Sequence, residues 1–524
     1  MPFDPPANAL GADLFWWRET GAVHTLVTIH GLTFDGLLDD VVLECVLFDE
    51  AGEPRATWRV EMADRPFVAI ASERLGDWID SPPAIASGVL AVYTHGTHRP
   101  GLSKGDKYRR LYSMVDWYSA TDGLSGLHND QSVVPGEDKA IDLTEIAVLE
   151  TADARNSLVI VNGETPQSPR TLSVTATNSG GVTRETFYEP AMKPFTVHQV
   201  RLAELFPQLA AFGDGGHLSI GGRFAGRGMY LRPYVVTEGA RFSAYHGGDV
   251  YRFKPLPAFH YRLLGNGEVN PMAVLHRPGE VETTVNLFNS HGSVEESFWV
   301  DAELYDESGM LVVRREQWRC ARRHALVRGD LTELLDDASR PFSGHISLSF
   351  TPTDLPAYPR HLQALLEYRS AGGAARVMAW SDEWNSRVKL HVRKQHGQLP
   401  LRSYYRSLAG RGFTTFVSVT NAGHAGYIES APYSVTLINA AGVRRETSGA
   451  LAPRQTLLAS VEALFSGAAE FLAPGGVGMI EVESTYDLAN VQFVRHDATG
   501  AWGAEHYMAA TTRAGDQAVL PAGA

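Results

Sequence analysis

The chain has 524 residues, of which 44% are hydrophobic and 20% are charged, and its formal net charge is −14. This length exceeds what one hydrophobic core supports, so we expect several domains. The negative charge argues against sequence-independent nucleic-acid binding, which needs a surface rich in lysine and arginine.

Targeting and membrane signals are weak along the whole sequence. The opening stretch MPFDPPANALGADLFWW has neither a basic segment nor a long apolar run, so no signal peptide is predicted. No stretch approaches the roughly 18 consecutive apolar residues of a membrane-spanning helix. Two cysteines are too few for a disulfide framework in a chain of this size. We therefore expect a cytoplasmic protein without membrane insertion.

A turn of the form Asp/Asn-x-x-Gly occurs four times at similar intervals. The turns begin at Asp49, Asn178, Asp306 and Asn439, which are 129, 128 and 133 residues apart. Counting back two, four and six residues from each turn reaches mostly apolar side chains, such as Leu47, Cys45 and Leu43 in the first copy. This alternation is typical of a strand with one buried face. Its recurrence in the same phase indicates an internal repeat.

Further elements follow in the same order in every copy. A strand that ends in a polar turn precedes the Asp/Asn-x-x-Gly strand, as in VTIHG from Val27. A short apolar segment with the spacing of a helical turn comes later, and Asp330 and Ser460 are predicted N-caps. A strand that opens with glycine and a final hairpin close the copy. Such tandem, turn-punctuated strands are typical of β-sandwich domains.

The predicted fold is therefore all-β, with four tandem β-sandwich domains that each contain a short helical turn. We place the domains at 14–130, 140–250, 281–386 and 387–510. A basic loop is inserted in the first domain at 93–110, an interdomain linker spans 251–280, and a flexible tail spans 511–524.

The fourth copy carries a family resemblance. Its segment TTFVSVTNAGHAGYIESAPYSVTLINAAGVRRETSGALAPRQTLLASVEALF, followed by ANVQFVRHDATG, resembles the small sensory-rhodopsin transducer family in its turns and core positions. Members of that family are single β-sandwich domains that assemble as tetramers, with proposed signalling or ligand-binding roles. The resemblance implies that the four copies form a covalent pseudo-tetramer. It carries over no functional residue, because turns and core positions speak for fold.

The ends of the final hairpins form the first candidate site. Three copies place a histidine there, and the third copy has Trp380 instead. The candidate ligand-binding residues are His128, Asp130, His246, Asp249, Trp380, Asp382, Glu383, Trp384, Glu505, His506 and Tyr507. If the domains pack around an axis, His128, His246 and His506 would hold a divalent transition metal, or the group would serve acid–base chemistry. Alternatively, each histidine satisfies a domain interface through its ring nitrogens.

The basic insertion YTHGTHRPGLSKGDKYRR is the second candidate. Its residues His98, Arg99 and Lys104 would bind a phosphate, a carboxylated sugar or an acidic partner surface. Alternatively, it is a solvated loop that offsets local acidity.

The linker segment FHYRLLGNGEVNPM is the third candidate. Its residues His260 and Arg262 would line a cleft between domains, since clefts favour domain junctions. Alternatively, they only hold two domains together.

Two functions of different classes remain open. The first is a non-catalytic binding, scaffold or signalling protein that recognises a saccharide, another small polar ligand or a protein partner at repeat junctions. The second is a metal-dependent or acid–base enzyme whose site is assembled from histidines and carboxylates at the final hairpins. Neither Cys45, on an inward-facing register, nor Cys320, on a strand, is interpreted as a nucleophile. The sequence leaves the ligand, the oligomeric state and the presence of catalysis open.

Overall fold

The computed structural model shows an all-β protein built from antiparallel sheets, which confirms the predicted fold class. The residues that the structure describes are 3–6, 8–32, 38–63, 65–96, 111–119, 123–128, 142–148, 155–214, 217–224, 233–238, 243–246, 256–257, 267–288, 297–321, 326–350, 357–358, 363–370, 373–380, 401–421, 430–486 and 488–506. No helix in these ranges is long and apolar enough to cross a membrane.

The first repeat consists of two four-stranded sheets. Its first sheet has the order β1 (Gly11–Arg18), β6 (Ser87–His95), β3 (Val42–Asp49) and β4 (Pro54–Glu61). Its second sheet has the order β5 (Phe67–Ala71), β2 (His24–His30), β7 (Tyr112–Ser119) and β8 (Gly123–His128). A 3₁₀ turn at Ser72–Asp77 follows β5. The predicted boundary at residue 14 therefore falls inside β1.

The second repeat has the same two sheets. The first comprises β9 (Asp142–Val148), β14 (Leu218–Phe224), β11 (Leu172–Thr177) and β12 (Thr183–Tyr188). The second comprises β13 (Val197–Arg201), β10 (Arg155–Val161), β15 (Tyr234–Glu238) and β16 (Ser243–His246). Two short helices, α1 (Leu202–Leu205) and α2 (Leu209–Gly213), follow β13.

The third repeat joins its two sheets into one eight-stranded sheet. The first half comprises β18 (Gly267–Arg277), β23 (Phe342–Phe350), β20 (Phe298–Asp306) and β21 (Leu311–Ala321). The second half comprises β22 (Leu326–Asp330), β19 (Val281–Phe288), β25 (Gln363–Ser370) and β26 (Gly373–Trp380). A 3₁₀ turn spans Leu331–Glu333, and the two-residue strands β17 (Leu256–Pro257) and β24 (Ala357–Tyr358) pair with each other.

Part of the predicted linker 251–280 is therefore a strand. Strand β18 pairs with β23 along most of its length, and its end pairs with β19 at Arg277 and Val281. The sequence gives little sign of this strand, because the mixed segment GEVNPM contains a proline and lacks period-two alternation. A register shift between Val269 and Met272 accommodates that proline.

The fourth repeat returns to two separate sheets. The first comprises β27 (Leu401–Leu408), β32 (Val477–Ser484), β29 (Ala431–Ile438) and β30 (Arg444–Leu451). The second comprises β31 (Thr456–Ser460), β28 (Phe413–Thr420), β33 (Ala489–His496) and β34 (Trp502–His506). Helices α3 (Val461–Leu464) and α4 (Ala468–Phe471) follow β31, and Ser460 caps α3 by accepting a hydrogen bond from the Ala463 N–H at 3.1 Å. The predicted Ser460 cap is confirmed.

The four Asp/Asn-x-x-Gly turns share one hydrogen-bond pattern. In each, the glycine N–H donates to the carbonyl of the leading Asp or Asn, at 2.9–3.0 Å. The side-chain oxygen of that leading residue also accepts the backbone N–H four positions later, at 3.0 Å. All four glycines have φ between 78° and 86°, a backbone conformation that favours glycine. The repeat is thus the same at the level of single turns.

Apolar clusters join the repeats to one another. Tyr234 and Val236 of the second repeat lie in one cluster with Trp16 of the first. Other clusters join the third repeat to the second and the fourth to the third. A further cluster joins the first repeat to the fourth, through Leu26 and Tyr404 among others. Each repeat therefore packs its second sheet on the first sheet of the preceding one, and the first repeat packs in the same way on the fourth.

Candidate functional site

The final strands of the four repeats meet one another. Strand β8 contacts β16 and β34, and β26 contacts the same two strands. These strands end at His128, His246, His506 and Trp380, the positions predicted to form a shared site. The structure describes the backbone of these four residues and not their side chains, so a metal or ligand held jointly by them remains a prediction.

The other predicted site residues, Glu505 apart, lie outside the described residues. They are Asp130, Asp249, Asp382, Glu383, Trp384 and Tyr507 at the hairpin ends, His98, Arg99 and Lys104 in the basic loop, and His260 and Arg262 in the linker.

Glu505 is described, and it lies near a buried ion pair between the first and fourth repeats. Asp116 on β7 is 0% exposed and Arg406 on β27 is 2% exposed. The Arg406 Nε donates to Asp116 Oδ2 at 2.6 Å, and its Nη2 donates to the other carboxylate oxygen. Arg406 also donates from Nη1 to Gln492 on β33. This two-point contact is the strong geometry for an arginine–carboxylate pair.

The surroundings of the pair are shaped to hold it. Burial raises the pKa of Asp116, the nearby Glu505 carboxylate raises it further, and the Arg406 guanidinium opposes both effects. Gly126 lies opposite Asp116 on β8. A Cβ at Gly126 would lie 2.3 Å from Asp116 Oδ1 and 2.4 Å from Arg406 Nη2, so only glycine leaves room for the pair. Because the charges satisfy each other, the arrangement supports a structural role.

A second polar feature of the same junction is His30, at the end of β2. It is 1% exposed, and its ring contacts those of Tyr112 and Tyr404, with centroid distances of 5.6 Å and 5.0 Å. Burial lowers the pKa of His30 to about 3, so its imidazole is neutral. Among the described residues, its Nδ1 has no hydrogen-bond partner, and neither has the Oγ1 of Thr28, which is 0% exposed. Buried polar atoms without a partner are uncommon and call for an explanation such as a bound molecule.

Thr28 and His30 face the fourth repeat near one of the meeting strands. His30 contacts Tyr404 of that repeat, and Thr28, two residues earlier on the strand, points to the same side of the sheet. Thr28 lies opposite Met114, and Met114 lies opposite His128 at the end of β8. The unpartnered Thr28 Oγ1 therefore belongs to a residue in the same cross-strand row as His128, a residue of the predicted site, and His30 lies two residues further along β2.

A third group contains residue types that bind metals. Among the described residues, Glu19, His24 and Glu73 place ligand atoms within 4.8 Å of one another. His24 Nδ1 lies 2.8 Å from Glu19 Oε2, and Ser72 Oγ donates to the same oxygen at 2.5 Å. Partial burial by itself raises the pKa of Glu19, but the hydrogen bonds from His24 and Ser72 outweigh it and hold the pKa below its usual range.

The Arg411 guanidinium already pairs with Glu73, the other carboxylate of this group. Arg411 of the fourth repeat and the Tyr118 hydroxyl both donate to Glu73 Oε1. The group therefore has the donors for a divalent cation, while Arg411 already pairs with one of its two carboxylates. No local spacing in the sequence revealed it, because Glu19 and Glu73 come from distant segments.

The surroundings of Cys45 oppose a nucleophilic role. Cys45 is 0% exposed, and burial, with a smaller contribution from Glu44, raises the pKa of its thiol far above the usual range. Cys320 lies on β21 as a free, partly buried residue.

Comparisons with known proteins add little. No protein-family model matches the chain, and a search of curated proteins finds no match. A solved structure described as "Biofilm associated protein - BSP domain" is 9% identical, with 98% of this chain and 94% of that chain covered and a TM-score of 0.16. A tetra-tandem repeat from the extending region of a large adhesion protein is 11% identical, with coverages of 95% and 100% and a TM-score of 0.09.

Scores this low carry no argument about fold or function. The resemblance to the sensory-rhodopsin transducer family is not shown by these comparisons and stays a prediction, as does the pseudo-tetramer that it implied.

Proposed function

We propose that the protein is a non-catalytic binding scaffold that holds a small polar ligand, such as a saccharide, at the junction of its first and fourth repeats. The observation that carries this proposal is the pair of buried, unpartnered polar atoms, His30 Nδ1 and Thr28 Oγ1, at that junction. A hydroxyl-bearing ligand or an ordered water would supply the missing partners. The Tyr112 and Tyr404 rings, which both contact His30, are of the kind that packs against the apolar faces of a sugar ring.

The chemistry of the described residues favours binding over catalysis. A neutral His30 with a pKa near 3 is too weak a base for proton transfer near neutral pH. Asp116 is engaged by Arg406 on both oxygens. The scaffold itself is rigid, because apolar clusters connect each repeat to two others.

A thermal-shift panel tests the proposal. The probes are neutral and acidic monosaccharides, disaccharides and polyols at millimolar concentration, applied to the full chain. We expect at least one probe to raise the melting temperature of the wild-type protein. The Thr28→Val variant, which keeps the side-chain shape and removes the hydroxyl, is expected to lose that shift.

The matched control is Ser418→Ala. Ser418 Oγ, on β28 of the fourth repeat, is also buried with no partner in the described part of the chain, so its removal tests any general effect of deleting a buried hydroxyl. The control is expected to keep the ligand-induced shift. A panel in which no probe stabilises the wild type, or a shift that survives in Thr28→Val, would contradict the proposal.

A further inference from the structure

The junction between the fourth and first repeats is the one that chain connectivity does not specify. The first and second, second and third, and third and fourth repeats follow one another directly in the sequence, so their pairing is favoured by proximity along the chain. The first and fourth repeats lie at opposite ends of it. Their contact must be selected by the two surfaces themselves.

Equivalent positions at the other junctions differ from the Asp116–Arg406 pair. Arg406 directly precedes Ser407, which pairs with Gly478, the glycine that opens β32. By the same rule the corresponding residues are Trp16 and Ala273, because Trp17 pairs with Gly88 and Val274 with Gly344. An arginine therefore occupies this position in the fourth repeat, where the first and third repeats have apolar residues.

The residue type at the position equivalent to Asp116 also differs among the repeats. Gly31, Asn162 and Asn421 are equivalent positions in the second sheets of three repeats. The backbone N–H of each donates to the carbonyl of the residue just before the neighbouring strand, which is Pro66, Thr196 or Gln455. Five residues before these equivalent positions, Leu26, Ser157 and Phe416 lie opposite Asp116, Val236 and Phe493. In the third repeat, Phe288 pairs with Leu326 at the start of β22, which places Glu367 at the corresponding point. At the junction of the fourth and first repeats, an acid therefore faces an arginine. At two other junctions the equivalent residues are apolar: Val236 packs in one cluster with Trp16, and Phe493 packs in another cluster with Ala273.

Exchanged partners would leave one charge buried without its counterpart. If the second repeat packed on β27, Val236 would face Arg406. If the first repeat packed on β18, Asp116 would face Ala273. Taking a charge out of water without a counter-ion is strongly unfavourable, so both of these exchanges are disfavoured.

We infer that the Asp116–Arg406 pair selects the first repeat over the second as the partner of the fourth, and so closes the chain of four repeats on itself. This role is separate from ligand binding, and it uses a buried ion pair for specificity of pairing, the use best attested for such pairs. Gly126 is part of the device, since a side chain there would displace the pair.

Hydrogen–deuterium exchange and light scattering of the full chain test the inference. In the Asp116→Leu variant, Arg406 loses its partner, and we expect amides of β2, β7 and β27 to exchange at least about tenfold faster. We also expect species larger than wild type by size-exclusion chromatography with light scattering, because an unsatisfied first repeat can pair with the fourth repeat of another copy.

Two further variants keep the test decisive. Glu481→Gln removes a buried carboxylate that pairs with Arg444 within the fourth repeat, at 3.2 Å, and it is expected to leave the exchange of β2 and β7 unchanged. The double variant Asp116→Leu/Arg406→Met makes the junction apolar on both sides. We expect it to fold, with exchange close to wild type, and to form mixed assemblies because partner choice is lost. If Asp116→Leu and the double variant both match wild type in mass and exchange, the inference is wrong.

Discussion

Four buried polar residues lie where the first repeat meets the fourth. Thr28, His30 and Asp116 of the first repeat and Arg406 of the fourth are all 2% exposed or less. Each costs free energy to remove from water, so each must be compensated or serve a purpose. Asp116 and Arg406 compensate each other. His30 and Thr28 have unpartnered atoms, which is why we place the ligand beside them.

The buried His30 predicts a pH dependence of stability. Its pKa is about 3 in the folded state, against about 6.5 for an ordinary histidine in the unfolded chain. The folded state therefore binds fewer protons in this window, so the contribution is present above pH 6.5 and is lost as the pH falls. The loss is about 2 kcal/mol at pH 5, since one pKa unit corresponds to about 1.4 kcal/mol.

Urea unfolding at pH 7, 6 and 5 measures this contribution. The His30→Asn variant cannot gain the proton in the unfolded state, so its free energy of unfolding should fall less steeply below pH 6.5 than that of the wild type. Comparing slopes removes the effect of the lost ring contacts with Tyr112 and Tyr404. Parallel pH profiles for the two proteins would show that His30 is not held neutral by burial.

At the scale of elements, the Asp/Asn-x-x-Gly turns do more than mark the repeat. A Cβ at Gly52 would lie 2.3 Å from the Pro194 carbonyl oxygen of the second repeat. At Gly309 it would lie 2.8 Å from the Pro453 carbonyl oxygen of the fourth, and the Thr456 N–H donates to Glu307 in that turn at 3.1 Å. In the sequence these turns appear only as strand reversals. In the structure, the turns at Gly52 and Gly309 also contact a neighbouring repeat closely.

Two glycine variants separate these roles. Gly21 has a φ of +74° and no atom within 4 Å of an added Cβ, so Gly21→Ala should cost about 1 kcal/mol from backbone strain alone. Gly52 has a φ of +80° and also abuts Pro194, so Gly52→Ala should cost at least about 1 kcal/mol more because the neighbouring repeat must move. Chemical denaturation of both variants gives the comparison. Equal losses would mean that the turn does not bear on the junction.

On the scale of the whole molecule, the repeats share their cores. Trp16 and Trp117 of the first repeat pack with Tyr234 of the second. The ring centroids of the two tryptophans are 5.8 Å apart, and that of Tyr234 lies 6.3 Å from Trp16 and 5.7 Å from Trp117. Similar clusters cross the other junctions, so little of any repeat's second sheet is independent of its neighbour. Stability is therefore a property of the assembled chain.

This coupling predicts a single unfolding transition. A chain of this length commonly unfolds in stages. Here the shared clusters should make unfolding of one repeat destabilise two others, so tryptophan fluorescence and far-UV circular dichroism should report the same midpoint in urea. Calorimetry should give a van't Hoff enthalpy close to the calorimetric value. Resolved transitions for separate repeats would contradict the coupling.

Local features of the fold could be predicted, and the candidate site could not. Strands with period-two alternation and turns such as Asp306 to Gly309 depend on residues close in sequence, so their pattern is visible along the chain. The Asp116–Arg406 pair joins residues 290 positions apart. His30 resembled an ordinary polar residue before a turn glycine, and nothing near it indicated that Tyr404 would cover it.

The all-β class, the four repeats and the short helical turns are visible in the sequence alone, because each follows from periodicity and from the conformations that glycine, asparagine and aspartate favour. Only the tertiary structure decided that the final strands meet, that β18 belongs to a sheet, and that buried charge lies at the junction of the first and fourth repeats. The physical reason is that burial is a property of the assembly. An Asp, Arg or His on a solvated strand has little effect on the free energy of folding. The same residue has a large effect once a neighbouring repeat removes it from water.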